Sequence, residues 1–225
     1  MNKEKMVNTP IAFFDLDLTI LNVNSATLWI RSEYKLGHIS FWYVIQAMYW
    51  LTRYHLGSVS MESALLSAFE SLKGQDAKAF NVRITNFYHA YVAHRVRKGA
   101  LLTIEGHKKK GHLCYLCTNA SAPLAQLFCT ALDLDGMICN SFEVKDHILT
   151  GAPATRLCFG EGKLILAVEL IEGHCVTLDE CYFYTDSYSD LPLLEAVGPP
   201  LVVHPDRRLR KFAKENNWPI LDWND

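Results

Sequence analysis

The stretch Ile11-Ala12-Phe13-Phe14-Asp15-Leu16-Asp17-Leu18-Thr19 runs from four apolar residues straight into two acids and a hydroxyl. A short run that is apolar at every position suits a parallel strand covered on both faces. Open parallel sheets bind their ligands outside the carboxyl ends of the strands, which is where such acids fall. Two further runs end in the same way. His112 to Cys117 leads into Thr118, and Cys181-Tyr182-Phe183-Tyr184 leads into Thr185 and Asp186. A parallel sheet brings Asp15, Thr118 and Asp186 to one edge, however far apart they lie in the chain.

From Gly99 onward the pattern alternates. A helix is predicted over about 100–110, ending at Gly111, then a strand over 112–117. A helix follows from Ser121, whose hydroxyl can cap it, with Pro123 in the tolerated first turn. A short strand lies near Met137 to Cys139, and a helix over Lys163 to Ile171 leads to the strand at 181–185. Asp190 opens a helix with Pro192 in its first turn. Leu201 to Val203 is a last strand and Arg207 to Asn216 a last helix. This alternation predicts an α/β fold, a doubly wound, Rossmann-like parallel sheet with helices on both faces.

Residues 24 to about 98 have a different texture, with no convincing strand. Leu28, Trp29, Tyr34 and Leu36, then Phe41-Trp42-Tyr43 to Trp50, show helical spacing, and Gly37, Gly57 and Gly74 punctuate it as helix ends. The expected division is a core of residues 1–21 and 99–225 with an all-helical insertion over 22–98 after the first strand. The insertion's aromatics (Trp29, Tyr34, Phe41, Trp42, Tyr43, Tyr49 and Trp50) suit its own core and its seam with the sheet domain. A substrate pocket and a dimer surface are the other readings. No repeat or low-complexity segment is visible, and Lys108-Lys109-Lys110 reads as a solvated helix end, where cations suit the dipole.

At 225 residues the chain can build one sizeable core, or a core plus a small insertion. With 50% hydrophobic and 20% charged residues it has the make-up of an ordinary soluble domain. A net charge of -2 argues against a general nucleic-acid binder. Seven scattered cysteines, an odd number, read as reduced thiols. Cys114 and Cys117 form a CxxC inside a strand, where residues three apart face opposite sides, so their sulfurs should not converge on a metal. Met1 to Pro10 lacks the apolar segment of a leader. Ile39 to Leu51 contains Gln46 and is too short to span a bilayer. A cytoplasmic protein with no membrane insertion is expected. His89 and His94 share no helix face well, and no HExxH or GxSxG occurs.

Four stretches remain: Phe14 to Thr19, of form DxDxT; Thr118-Asn119; Lys163 after Gly160 and Gly162; and Tyr184-Thr185-Asp186-Ser187-Tyr188-Ser189-Asp190. In order and context they resemble the four motifs of the haloacid dehalogenase superfamily. The resemblance implies that Asp15 attacks phosphorus and carries an aspartyl-phosphate, and that Asp17 serves as general acid and then base. It implies that Thr118, Asn119 and Lys163 hold the phosphate, helped by the helix N-terminus after Ser121. It implies Mg2+ as cofactor, held by Asp15, Asp186, the Asp17 backbone carbonyl and Asp190 directly or at one remove. Taken singly, each motif has a plainer reading: loop acids, a structural threonine, a surface lysine, and Asp190 as a helix N-cap.

The tail segments Asp190 to Glu195, Val203-His204-Pro205-Asp206 and Trp218-Pro219-Ile220 resemble subfamily IB, which holds phosphoserine phosphatases and a histidinol-phosphatase-like branch. Tyr34-Lys35-Leu36-Gly37 and Tyr54-His55-Leu56-Gly57 are similar to that branch, and the helical insertion resembles its C1-type cap. A small phosphorylated metabolite is the implied partner, and the protein a monomer or homodimer. Three departures stand out. Leu18 replaces the usual glycine, and as a leucine it is expected to hold ordinary backbone angles. Thr185 stands where a glycine often precedes the acid. Asn22, Val23 and Asn24 stand where phosphoserine phosphatases carry an acid. A phosphotransferase on the same fold and a non-catalytic ligand-binding relative are the alternatives.

Overall fold

The computed structural model describes residues 9–42, 44, 45, 49 and 61–224. In chain order its strands are β1 (Ile11–Phe14), β2 (Leu113–Ser121), β3 (Gly136–Asn140), β4 (Phe142–Lys145), β5 (Ile148–Pro153), β6 (Tyr182–Thr185), β7 (Pro200–Val203) and β8 (Ile220–Leu221). The helices are α1 (Ser25–Lys35), α2 (Met61–Glu70), α3 (Ala77–Phe87), α4 (Lys98–Lys109), α5 (Ala122–Leu132), α6 (Glu161–Ile171), α7 (Leu191–Ala196) and α8 (Arg207–Glu215).

Six strands form one sheet in the order β3-β2-β1-β6-β7-β8, parallel throughout. The all-apolar run of β1 has the reason expected of it. Ala12 and Phe14 belong to a core that includes Ala100 and Ile104 of α4 and Phe128 of α5. Ile11 and Phe13 belong to a second core with Ala167 of α6, Leu193 of α7 and Leu209 of α8. All four β1 side chains are fully buried, and each large one contributes roughly 1.5–3 kcal/mol by leaving water. Cys114 and Cys117 fall in opposite cores, so the CxxC does not converge.

The structure corrects several expectations. β2 runs on to Ser121 with its register against β3 broken between Cys117 and Ser121, so Thr118 sits inside an irregular strand end rather than after it. The Ser121 side chain makes no cap bond to α5. The antiparallel ribbon β4–β5 was not anticipated. Its turn uses Asp146 and His147, both at positive φ, in place of the Asn-Gly or Asp-Gly that signals a hairpin in sequence. β8 is two residues long and gives no periodicity to read.

Between β1 and β2 the chain leaves and returns along paired connectors. The Asn22 N–H donates to the Arg95 carbonyl at 3.0 Å and the Arg97 N–H to the Ile20 carbonyl at 2.8 Å. Trp29 packs edge-on to Phe80 and Phe87, and Phe142 of the ribbon packs against Phe69 and Phe80. Trp29 thus packs internally, whereas Tyr34, Phe41, Trp42 and Tyr49 stand exposed. Tyr43, Trp50 and the Tyr54–Gly57 segment lie outside the described residues. Gly37, Gly74 and Gly111 each follow a helix at positive φ. Among the described residues no helix is long and apolar enough to cross a membrane.

Candidate active site

Asp15 leaves the carboxyl end of β1 with its N–H still bonded to the Tyr184 carbonyl of β6 at 2.9 Å. Its side chain is buried, and Oδ1 accepts from Lys163 Nζ at 2.7 Å. The same ammonium donates to Asp190 Oδ2 at 2.8 Å. Lys163 comes from the first turn of α6. That turn sits so close to the preceding loop that a Cβ on Gly162 would lie 2.1 Å from the Leu157 carbonyl oxygen. Asp190 follows a short turn after β6 and does not cap α7 with its side chain, contrary to the plainer reading of its position. Its Oδ2 instead takes Lys163 and the Thr185 hydroxyl, the latter at 2.6 Å.

Asp186 directly follows β6. Thr19 holds it twice: Thr19 Oγ1 accepts the Asp186 N–H at 3.0 Å and donates to Asp186 Oδ1 at 3.3 Å. Asp17 is turned elsewhere. Its Oδ1 accepts the Ser25 N–H at 2.8 Å and its Oδ2 the Ser25 hydroxyl at 3.0 Å, at the start of α1. The turn that separates Asp17 from Asp15 passes through Leu18 at φ 59°, ψ -8°. The expectation of ordinary angles there is therefore wrong. The surrounding hydrogen bonds fix the turn and override the preference of the leucine.

Thr118 and Asn119 come to the same carboxyl edge but bond none of these acids. Thr118 Oγ1 accepts the Ala120 N–H at 3.1 Å. The Asn119 carbonyl accepts from Asn140 Nδ2 at 2.7 Å, while Asn140 Oδ1 accepts the Cys158 N–H at 2.8 Å. Asn140 thus ties this loop to the one that precedes Lys163. Sequence reading missed Ser25 and Asn140, noted Thr185 only as a departure from a glycine, and used Thr19 only as a motif letter. Each acts through a pair of hydrogen bonds to residues remote in the chain or brought near by a turn, which leaves no local pattern.

Asp15, Asp186 and Asp190 are all buried, and the Lys163 ammonium pairs with Asp15 and Asp190. Burial pushes Asp15 up to about 7; Lys163 opposes this, while Asp190 and Asp17 add to it. Burial likewise pushes Asp186 up to about 8, with Asp15 and Asp190 adding to it. Burial alone would lower Lys163, but Asp15 and Asp190 outweigh it and hold the ammonium well above the ordinary lysine value. Asp17 is raised by burial and drawn back by its two Ser25 bonds. Among the described residues no group of three or more His, Cys, Asp or Glu side chains is arranged to hold a metal ion. The excess of buried carboxylate over ammonium, all oxygen donors, nonetheless fits one hard divalent cation. A cavity of about 240 Å³ lies farther along α1, between Trp29, Glu33, His38, Gln75 and Arg83, with none of the four aspartates in its wall.

Over residues 12–195 the sequence matches the family model of haloacid dehalogenase-like hydrolases. A probable phosphatase of Mycobacterium tuberculosis (strain ATCC 25618 / H37Rv) is 30% identical over 95% of this chain and 75% of its own length. A histidinol-phosphatase of Neisseria meningitidis serogroup C (strain 8013) is 25% identical over 95% of this chain and 98% of its own. The crystal structure of a protein with unknown function from Bordetella pertussis Tohama I superposes with a TM-score of 0.86. It is 26% identical and covers 96% of this chain and 99% of that one.

Proposed function

This chain belongs to the haloacid dehalogenase-like hydrolase family, and on that premise we propose that it is a magnesium-dependent phosphatase of a small phosphorylated metabolite. The observation that carries the reading is the buried triad Asp15, Lys163 and Asp190, joined at 2.7 and 2.8 Å. A carboxylate is a weak nucleophile toward a phosphate dianion, because like charges repel. Asp15 attacks phosphorus and becomes an aspartyl-phosphate; Lys163 binds one Asp15 oxygen and offsets charge on the phosphoryl group. Mg2+, when bound by Asp15, Asp186 and the Asp17 backbone carbonyl, supplies the remaining positive charge.

Asp17 gives its proton to the leaving oxygen as the ester P–O bond breaks, and then takes one from the water that displaces phosphate from Asp15. To do so it must loosen its grip on Ser25, the first residue of α1. Because α1 opens the segment of residues 22–98, we read that segment as a cap whose position and the availability of the Asp17 proton are linked. The Thr118 hydroxyl and the amides after Asn119 complete the phosphate cradle in this reading. The names of the relatives support phosphate esters as the substrate class. A cytoplasmic setting suits the thiols of Cys114, Cys117, Cys129, Cys139, Cys158 and Cys181, none of which is in a disulfide.

Release of nitrophenol from para-nitrophenyl phosphate, with and without magnesium, tests the reading. Turnover is expected only with the metal and is expected to vanish in Asp15→Asn. Metal-independent turnover, or an active Asp15→Asn protein, sinks it. A panel of phosphorylated metabolites that includes histidinol phosphate and phosphoserine then ranks substrates.

A further inference from the structure

Thr185 closes β6 with no exposed surface, and its hydroxyl is used twice. Oγ1 donates to Asp190 Oδ2 at 2.6 Å and accepts the Ser187 N–H at 3.1 Å. The same Asp190 oxygen takes Lys163 Nζ at 2.8 Å, and Nζ also reaches Asp15 Oδ1 at 2.7 Å. The Ser187 amide fixes the direction of the hydroxyl. An oxygen that accepts an amide on one side has its single proton left for Asp190. The β-branch limits the rotamers of Thr185, and pairing with Val202 of β7 holds its backbone.

We propose that Thr185 is a positioning residue for Lys163. Its hydroxyl takes up part of the negative charge on Asp190. The ammonium is then not drawn wholly to Asp190 but stays shared with Asp15, where charge must be offset during phosphoryl transfer. In a buried site such competition is strong, because little water screens it. This assignment rests on the phosphatase reading above.

Steady-state kinetics on para-nitrophenyl phosphate with magnesium, for wild type, Thr185→Val and Thr185→Ser, test it. Valine keeps the shape and the β-branch but loses the hydroxyl. The expected result is about a tenfold fall in kcat for Thr185→Val with KM changed less than about twofold, the scale of one hydrogen bond to a charged group. Thr185→Ser, which restores the hydroxyl, is expected to return most of that loss. Unchanged kcat in the valine protein, an effect on KM alone, or equal losses in valine and serine proteins each overturn the assignment. Should the valine protein fail to fold, Thr185→Ala read against Thr185→Ser makes the same comparison. The two readings fail differently. An inactive wild type removes the phosphatase reading and this one with it, whereas an active wild type matched by an active valine protein removes only the role of Thr185.

Discussion

Leu18 holds a left-handed backbone at φ 59°, a conformation that costs a non-glycine residue on the order of 1–2 kcal/mol. Hydrogen bonds on both sides enforce it: Leu18 N–H to the Val23 carbonyl at 3.1 Å, and Leu21 N–H to the Leu16 carbonyl at 2.8 Å. The turn so fixed aims Asp17 at Ser25 and Thr19 at Asp186. Leu18→Gly removes the strain at the expense of a more flexible unfolded chain, and is expected to stabilise by about 0.5–1 kcal/mol. Leu18→Ala keeps the strain and loses side-chain contact, so it is expected to destabilise. Urea denaturation of the pair decides this; a glycine variant less stable than the alanine variant would show the turn is unstrained. The identity of Leu18 was visible in sequence, but its φ was not, because the bonds that set it come from Val23 and Leu16.

At the scale of elements, α6 works as a carrier for Lys163, seated by the contact of Gly162 with the Leu157 carbonyl. Gly162→Ala must push that loop or the helix aside. It is expected to cost about 1–3 kcal/mol and to lower phosphatase activity by shifting Lys163. Full activity together with full thermal stability would contradict the seating. α4 and β6 are joined by His107, whose Nε2 lies 2.8 Å from the Tyr184 hydroxyl and whose Nδ1 lies 2.9 Å from His112 Nδ1. Burial first, then His112 and Lys110, lowers His107 to about 4. Above the unfolded value near 6.5 both states are neutral, so this residue then contributes no pH dependence. As pH falls from there toward 4 only the unfolded state gains the proton, and stability is lost. Between pH 7 and pH 5 the loss from this residue is expected to be on the order of 2 kcal/mol. Denaturation of wild type and His107→Gln at both values checks it; equal slopes in the two proteins would exclude His107 as the source. The sequence showed both helices and strands here, yet not the histidine bond between them.

For the whole molecule, the edge of the sheet gathers acids from β1 and β6 and leaves them under-neutralised. A divalent ion that binds only the folded site must stabilise it by mass action, by about 2.7 kcal/mol at one hundred times its dissociation constant. Magnesium is expected to raise the melting temperature of wild type and to leave Asp186→Asn nearly unmoved. An equal rise in both proteins would place the ion elsewhere.

The sequence by itself determined the alternation of strands and helices, the two-sided burial of β1, and the arrival of Asp15, Thr118 and Asp186 at one edge. These follow from hydrophobic period and strand direction, which are written locally. Only the tertiary structure decided which acid holds Lys163, that Asp17 faces Ser25, and that Thr185 and Thr19 orient the acids. Those choices rest on hydrogen bonds set by the turns after β1 and β6 and by the register of the sheet, and such bonds have no period in sequence.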